Sequence, residues 1–489
     1  MNDGQDICYR ALQTRDQRFD GRFFTGVITT GVFCRPVCPA VTPKRENCRF
    51  FPSAAAAISQ GFRPCLRCRP EAAPGSPAWN GVTTTVTRAL RLIADGALDD
   101  GGVDALADRL GITARHLRRL FDEHLGASPL AVAQSQRLLF AKKLITETSL
   151  PLNEIAIMAG FGSVRRFNDA MRKLYGHAPG ELRRSKSAEP AGGRAAIQLK
   201  LAFHPPYDWQ QISSFLQSRA IPGVEQADAT VYRRSVSFDS GAGLLEVRPL
   251  ESVQQLQVRF DFPDTCNLQL AVNKTRRLFD LDVDREEINT LFADDPLLGR
   301  LVTQRPGLRV PGAWDLFELG VRAILGQQIS VPAARTLAGR LVEQFGEPLL
   351  QYARGEVTHL FPTPAVLADN DVSLIGLPKK RAASINALAA AFPDLLPALD
   401  NCADLKDIET ALCRIPGIGP WTAQYIAMRA LGEPDAFPKG DLGLIRALQA
   451  MGHDCTITQL QALAENWRPF RAYAALHLWT GLADNKEEQ

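Results

Sequence analysis

The chain has 489 residues, 45% of them hydrophobic and 22% charged, which is more than one hydrophobic core usually serves, so roughly three or four domains are expected. Its formal net charge of +3 hides an asymmetry: up to Lys186 there are 27 Lys+Arg against 17 Asp+Glu, and beyond it 29 against 36. The amino-terminal part therefore suits polyanions, whereas no apolar run approaches the ~20 residues of a bilayer span and the start MNDGQDICYR lacks the regions of a signal peptide, which points to the cytoplasm and away from membrane partners. In that compartment ten cysteines are expected as metal ligands, reactive thiols or buried small residues, because reducing conditions disfavour disulfides.

The first pattern along the chain is Cys34-x₃-Cys38 with Cys65-x₂-Cys68. Four thiols at that spacing fit a tetrahedral Cys₄ site for one Zn²⁺. Arg35, Arg63 and Arg67 flank the cysteines and suit DNA phosphates. The alternative is a purely structural zinc knuckle. Cys8 and Cys48 are left without a role.

Two Pro/Gly/Ser-rich stretches, 70–77 and 185–193, read as linkers, the second implying loose coupling of what it joins. Between them the chain repeats itself. Ala107-Asp108-Arg109-Leu110-Gly111 recurs as Ala156-Ile157-Met158-Ala159-Gly160, and Gly126-Ala127-Ser128-Pro129 as Gly176-His177-Ala178-Pro179. Each copy predicts helix, tight turn, helix, with glycine supplying the turn and Leu117 and Leu120, or Phe167 and Met171, burying the second helix. Arg115, His116, Arg118 and Arg119 in one copy, and Arg165, Arg166 and Asn168 in the other, then face outward with side chains able to meet phosphates and base edges. An ordinary helical bundle with a solvated basic face is the plainer alternative.

This middle segment resembles the paired helix-turn-helix domain of AraC-type regulators, and with the zinc site before it residues 1 to about 185 resemble the amino-terminal half of the Ada family. The resemblance implies a single-turnover transfer of a methyl group from a DNA methylphosphotriester to Cys34, with Cys38, Cys65 and Cys68 retained as ligands. It further implies a transcriptional activator that binds promoter operator DNA and RNA polymerase, and hence association with the nucleoid. Converting one thiolate of a Zn–Cys₄ cluster to a thioether changes its formal charge from −2 to −1, which weakens repulsion of the DNA backbone. The Pro-Cys-His-Arg motif of the usual Ada methyltransferase domain is missing from this sequence.

In its place stands Leu412-Cys413-Arg414-Ile415-Pro416-Gly417-Ile418-Gly419-Pro420-Trp421, which reads as a helix-hairpin-helix whose Gly417 and Gly419 bring backbone N–H groups to a DNA phosphate. Asp441 follows a Pro/Gly loop, Phe437-Pro438-Lys439-Gly440. Together with Pro205-Pro206-Tyr207-Asp208-Trp209, Arg322-Ala323-Ile324-Leu325-Gly326-Gln327 and Ala474-Ala475-Leu476-His477-Leu478-Trp479, these features make 197–482 similar to the AlkA family, DNA-3-methyladenine glycosylase II. That resemblance implies an N-glycosyl hydrolase acting on alkylated bases in double-stranded DNA, with Asp441 catalytic and Trp421, Tyr425 and Trp479 stacking on a flipped, cationic base. Gln328 stands where the family has a wedge leucine, which puts the wedge and the lesion range in question. Trp421 occupies the position of the lyase lysine, so a monofunctional enzyme is expected. A lyase role for Lys439 stays open beside its plainer reading as a surface phosphate contact, and the later cysteines are too sparse for an iron–sulfur cluster.

The fold class read from all this is multidomain and mostly α with α+β parts. A Cys₄ zinc domain spans 1–75, an AraC-type double helix-turn-helix 79–185, a small α+β subdomain 195–275 and a helix-hairpin-helix glycosylase core 276–483. The alternative function is a regulator carrying a catalytically inert, DNA-binding glycosylase-like domain.

Overall fold

A computed structural model describes residues 3–73, 84–99, 101–183, 196–250, 254–263, 266–402 and 404–487. The chain divides into two compact units, one of Met1–Pro205, Leu250–Asn273 and Leu281–Val283, the other of Pro206–Pro249, Lys274–Asp280 and Asp284–Gln489.

The first unit opens with a four-stranded sheet in the order Cys48–Phe51, Phe24–Val27, Val32–Cys34, Arg63–Pro64. Phe24, Phe33 and Phe62 form its core with Ala54 and Ala57 of a short helix, each buried aromatic contributing about 1.5–3 kcal/mol of transfer free energy. The packing is tight enough that a Cβ on Gly26 would lie 2.7 Å from Phe51 and 2.9 Å from Phe62.

The repeat folds as its spacing predicts. Helix pairs Val103–Arg109 with Ala114–Leu125, and Leu152–Met158 with Val164–Tyr175, flank the central helix Pro129–Glu147. The turns pass through Gly111 at φ +67° and Gly160 at φ +74°, left-handed conformations that an L side chain rarely adopts. Thr113 and Ser163 cap the second helices by accepting from the N–H groups of His116 and Arg166, each at 3.2 Å, a local device worth about 1 kcal/mol. Leu117, Leu120, Phe167 and Met171 are all buried.

The expected linker at 70–77 is only partly one. Pro70–Ala72 forms a 3₁₀ turn, and its Glu71 side chain, 2% exposed, pairs with Lys142 on the central helix at 3.3 Å. Arg69, at φ +54°, reaches the same helix through Thr146 at 2.8 Å and Glu147 at 3.4 Å. Burying one charge without its counter-ion is costly, so these contacts latch the metal module onto the helical one. Residues 74–77 and the second linker, 185–193, lie outside the described residues. Beyond the latter, Glu147 accepts the Lys200 N–H at 3.0 Å and Lys143 donates to the Lys200 carbonyl. Strand Ile197–Ala202 and its antiparallel partner Gln255–Asp261 therefore belong with the first unit, tied rather than loosely strung to the helix before them.

The second unit combines an antiparallel meander, Glu225–Ala227, Tyr232–Phe238 and Gly241–Leu250, with a helical body. Asp208 caps helix Trp209–Arg219 by accepting from the Gln211 N–H at 2.9 Å, while Tyr207 donates to the Phe279 carbonyl at 2.9 Å and Trp209 stacks on Phe279. The Pro-Pro-Tyr-Asp-Trp motif thus fixes the start of one helix. Helix Leu316–Leu325, buried along most of its length, is central; a Cβ on its Gly320 would come within 2.8 Å of Leu388.

Leu388 belongs to Lys379–Asp400, whose 22 residues are long and apolar enough to cross a bilayer by length and composition, although Ser384, Asn386, Pro393 and Asp394 break its apolar run. Ile385, Leu388, Ala389, Leu395 and Leu399 are buried in the unit, Pro393 and Pro397 lie inside the helix, and Asn386 is hydrogen-bonded to the carbonyls of Leu367 and Asn370. Length and composition alone miss this because a core helix passes the same test.

Candidate active sites and nucleic-acid interface

Cys34 ends one strand, Cys38 follows a turn, and Cys65 and Cys68 leave the parallel edge strand. Their four Sγ atoms all lie within 4.8 Å of one another, close to the roughly 3.8 Å separation that Zn–S bonds of ~2.3 Å impose on a tetrahedron. Thiols this close cannot all ionise unaided. Hydrogen bonding to Cys38, then to Cys65 and Cys68, pushes the Cys34 thiol up, whereas hydrogen bonds from Cys34 and Cys38 hold Cys65 down. A divalent cation removes that conflict, so the donor set fits one Zn²⁺. Cys38 and Cys68 are buried, while Cys34 and Cys65 remain partly exposed.

Arg35 sits elsewhere than expected. Its Nε donates to Asp20 at 2.7 Å, its second guanidinium nitrogen bonds the same carboxylate, and its Nη1 donates to the Cys68 carbonyl at 3.2 Å. Its backbone N–H also points to the Cys68 sulfur at 3.4 Å. A guanidinium held this way orients the metal loop and is not available to a phosphate. Arg63 and Arg67 are exposed.

On the helical repeat, Arg115, Arg118, Arg119, Arg165 and Arg166 are exposed, with His116 and Asn168 half-buried beside them. The ion pairs there are long, Arg119 to Glu123 at 3.9 Å and Arg165 to Asp169 at 4.0 Å, and Arg119 also meets the His116 ring nitrogen at 3.3 Å. Pairs of that kind contribute little and yield readily to DNA phosphate.

In the second unit, helices Leu405–Cys413 and Pro420–Arg429 enclose the hairpin. Gly417, at φ +91°, has no room for a side chain, since a Cβ would meet Ser384 Oγ at 2.1 Å; its carbonyl accepts from Gln327 Nε2 at 2.9 Å. Gly419 has nothing within 4 Å of its Cβ position, which leaves the turn open to a phosphate.

Asp441 caps helix Leu442–Ala450, accepting from the Leu444 N–H at 2.8 Å. Its carboxylate is gripped from two further sides, by Trp421 Nε1 on Oδ2 at 2.8 Å and by Trp479 Nε1 on Oδ1 at 2.9 Å. The stacking expected of the two tryptophans concerns their ring faces; in the structure their N–H edges hold Asp441. Tyr425 covers one face of Trp421, with rings 5.3 Å apart and 9° from parallel. All four residues line a cavity of about 1130 Å³, ample for a flipped nucleotide. Neither Gln328 nor Lys439 lines it. Gln328 is exposed at φ +58° in a turn whose neighbours Gly326 and Ile329 do reach the cavity, and Lys439 is exposed. Among the described residues no second cysteine cluster of metal-binding geometry occurs.

Other residues of the site escaped sequence reasoning. A Cβ on Gly443 would lie 2.8 Å from Asp441 Oδ1 and 3.3 Å from Trp479, so glycine there keeps the carboxylate clamp intact. Phe215, Arg219 and Arg429 also line the cavity. Beneath them Glu225, though fully buried, is held down to about 2: burial opposes ionisation, but Arg322 at 2.8 Å and Arg234 at 3.6 Å outweigh it. Arg322 and Gln327, seen in sequence only as parts of a motif, therefore serve the buried ion network and the hairpin.

Comparison with known proteins places both sites in one lineage. Over 488 residues the chain is 44% identical to the "Probable bifunctional transcriptional activator/DNA repair enzyme AlkA" of Mycobacterium tuberculosis, covering 99% of this chain and 97% of that one. The chain belongs to this bifunctional AlkA family. Family models described as the metal binding domain of Ada, a helix-turn-helix domain, the AlkA N-terminal domain and the HhH-GPD superfamily of base excision DNA repair proteins match residues 7–71, 106–185, 198–315 and 321–472. The DNA-3-methyladenine glycosylase 2 of Escherichia coli is 36% identical over 283 residues, 57% of this chain and 95% of that protein. A solved 3-methyladenine DNA-glycosylase from Archaeoglobus fulgidus covers 58% of this chain and 98% of its own with a TM-score of 0.52 at 23% identity, a likeness of fold. The bifunctional AlkA chain thus joins a zinc-binding Ada module and a DNA-binding helix-turn-helix to a base-excision repair fold.

Proposed function

We propose that the protein is a DNA-3-methyladenine glycosylase joined to a methylation-switched transcriptional activator, with the glycosylase, helix-turn-helix, α+β and zinc parts bounded at 276–483, 79–185, 195–275 and 1–75. The observation that carries the repair half is the grip of Trp421 and Trp479 on Asp441 inside the 1130 Å³ cavity, beside a hairpin whose Gly417 excludes any side chain. An alkylated purine nucleoside already carries positive charge, so its base departs easily. Asp441 then has to stabilise the cationic sugar and accept the proton of the incoming water. Indole N–H donors aim the carboxylate without adding a formal charge beside it. Trp421 offers no amine for a Schiff base, which fits a monofunctional hydrolase.

In the sensor half, Zn²⁺ when bound keeps the cysteines deprotonated and nucleophilic. The Cys34 sulfur attacks the methyl carbon of a phosphotriester, an S–C bond forms, the C–O bond breaks and its electron pair stays on the phosphate. The ligand set becomes less negative by one charge, and operator binding through Arg63, Arg67 and the two exposed arginine faces strengthens. The same operator complex presents the activator to RNA polymerase, in the cytoplasm and at the nucleoid.

The test is release of 3-methyladenine from a methylated duplex by the full-length protein. Asp441→Asn is expected to slow single-turnover release at least about 10³-fold, in the range of lost transition-state electrostatics, with duplex affinity unchanged. Equal release by the variant contradicts the assignment, and no release by the wild type favours an inert DNA-binding domain.

A further inference from the structure

The match to the AlkA N-terminal domain begins at residue 198, yet the start of that repair sequence packs within the first compact unit. Ile197–Ala202 is the edge strand of its sheet, paired on one side only, with Gln255–Asp261. An open strand edge presents backbone groups that need partners. At Lys200 both are supplied by the last turns of the central helix Pro129–Glu147: the Glu147 carboxylate accepts the Lys200 N–H at 3.0 Å, and Lys143 donates to the Lys200 carbonyl. Two further ties join the same part of the chain to the regulator. Asn273 donates to the carbonyl of Ala94, the last residue of helix Thr84–Ala94, at 2.6 Å, and Gln254 donates to Gln17 of the metal module at 2.5 Å.

Glu147 also meets the metal loop. Its Oε1 accepts from Lys143 at 3.1 Å and from Arg69 at 3.4 Å, and Arg69 donates to Thr146 at 2.8 Å. A carboxylate in the last turn of a helix faces the unfavourable end of the helix dipole, so these cations keep it in place. Arg69 directly follows Cys68 and stands at φ +54°, a conformation uncommon outside glycine, which the contacts on either side hold. The Cys68 carbonyl before it accepts from Arg35, the neighbour of Cys34, at 3.2 Å. One carboxylate thus touches the metal loop, the central helix and the first strand of the repair sequence. We infer that Glu147 is a junction through which the state of the metal loop sets how firmly the repair sequence docks on the helical module. Methylation of Cys34 takes one negative charge from the ligand set, and a neutral thioether attracts the cation less than a thiolate does. The loop joining Arg35 to Cys68 relaxes, Arg69 leaves its left-handed conformation and withdraws from Thr146 and Glu147, and the Lys200 edge opens. The methylated regulator therefore holds the repair sequence less tightly than the unmethylated one.

This inference rests on the methyl-acceptor reading above, and one experiment separates the two. Full-length, zinc-loaded wild type, Arg69→Met, Thr146→Val and Glu147→Ala are compared before and after reaction with a duplex carrying methylphosphotriesters, each freed of DNA. The mass of the Cys34 peptide gives the extent of methylation, and amide hydrogen exchange follows the peptides that span Lys200. In wild type, methylation is expected to speed exchange at the Lys200 amide at least about 10-fold, within the ordinary range of coupling between two sites. Arg69→Met and Glu147→Ala exchange fast in both states, so the response to methylation disappears. Methylated wild type with unchanged exchange overturns the inference and leaves the methyl-acceptor reading standing. A full response in Glu147→Ala overturns it as well. If Arg69→Met fails to hold zinc, Thr146→Val decides: a response smaller than that of wild type supports the route and an equal one refutes it. Wild type that gains no methyl group on Cys34 refutes the methyl-acceptor reading, and the inference falls with it.

Discussion

The cysteine cluster and the Asp441 clamp each hold negative charge in a partly buried place, by opposite means. At the cluster four sulfurs within 4.8 Å need a cation to coexist, and in the proposed function the group that binds the metal is the group that reacts. At the clamp one carboxylate is held by two neutral indole N–H groups and a backbone N–H, and nothing that holds it is consumed. A site that reports once can let its own structural charge change, because that change is the signal. A site that turns over has to return to its starting charge, and neutral donors allow this. The surroundings follow suit: Arg35 and Asp20 tie down the metal loop, and the latch through Glu71 and Lys142 connects the loop to the DNA-reading helices, whereas the clamp is built within the second unit.

The contrast can be broken most strongly by removing metal. Chelation is expected to unfold the amino-terminal sheet, because metal affinity there is folding free energy, and to abolish methyl acceptance. Excision by the second unit should stay within about 2-fold, because Asp441 is held by two indole N–H groups and a backbone N–H. Limited proteolysis followed by mass spectrometry reads the first effect and base release the second; a parallel loss of excision contradicts the contrast. A smaller effect sharpens it. Trp479→Phe keeps the ring but removes one donor to Asp441, and single-turnover excision should fall roughly 10- to 100-fold with unchanged duplex affinity. A rate equal to wild type means that Trp479 acts through its face alone.

Much of this was legible in the chain because its local rules are strict. Cysteine spacing, the turn glycines Gly111 and Gly160, and Gly417 of the hairpin each mark a backbone geometry that few other residues permit, and all lie where their spacing predicts. Asp441 was singled out through the family resemblance of its Pro/Gly loop, and its carboxylate lines the cavity. What stayed hidden depends on convergence of distant segments. Arg35 looks like any arginine beside a metal loop until Asp20 is found against it. Trp421 and Trp479 were read as faces because type alone does not say which edge of an indole is used. Arg219 and Arg429 come from helices with no shared pattern, and only the packing of both on Phe215 brings them to one cavity.

The central claim is that the two chemistries are separable on one chain. A single methylated duplex, carrying both phosphotriesters and 3-methyladenine, tests it directly when the full-length wild type, Cys34→Ala and Asp441→Asn are each followed for released base and for the mass of the peptide containing Cys34. The account predicts that Asp441→Asn gains the methyl group on Cys34 but releases no base, and that Cys34→Ala releases base at the wild-type rate with no methylated cysteine. Loss of both readouts in either variant, or methylation of a different cysteine in Cys34→Ala, would contradict it.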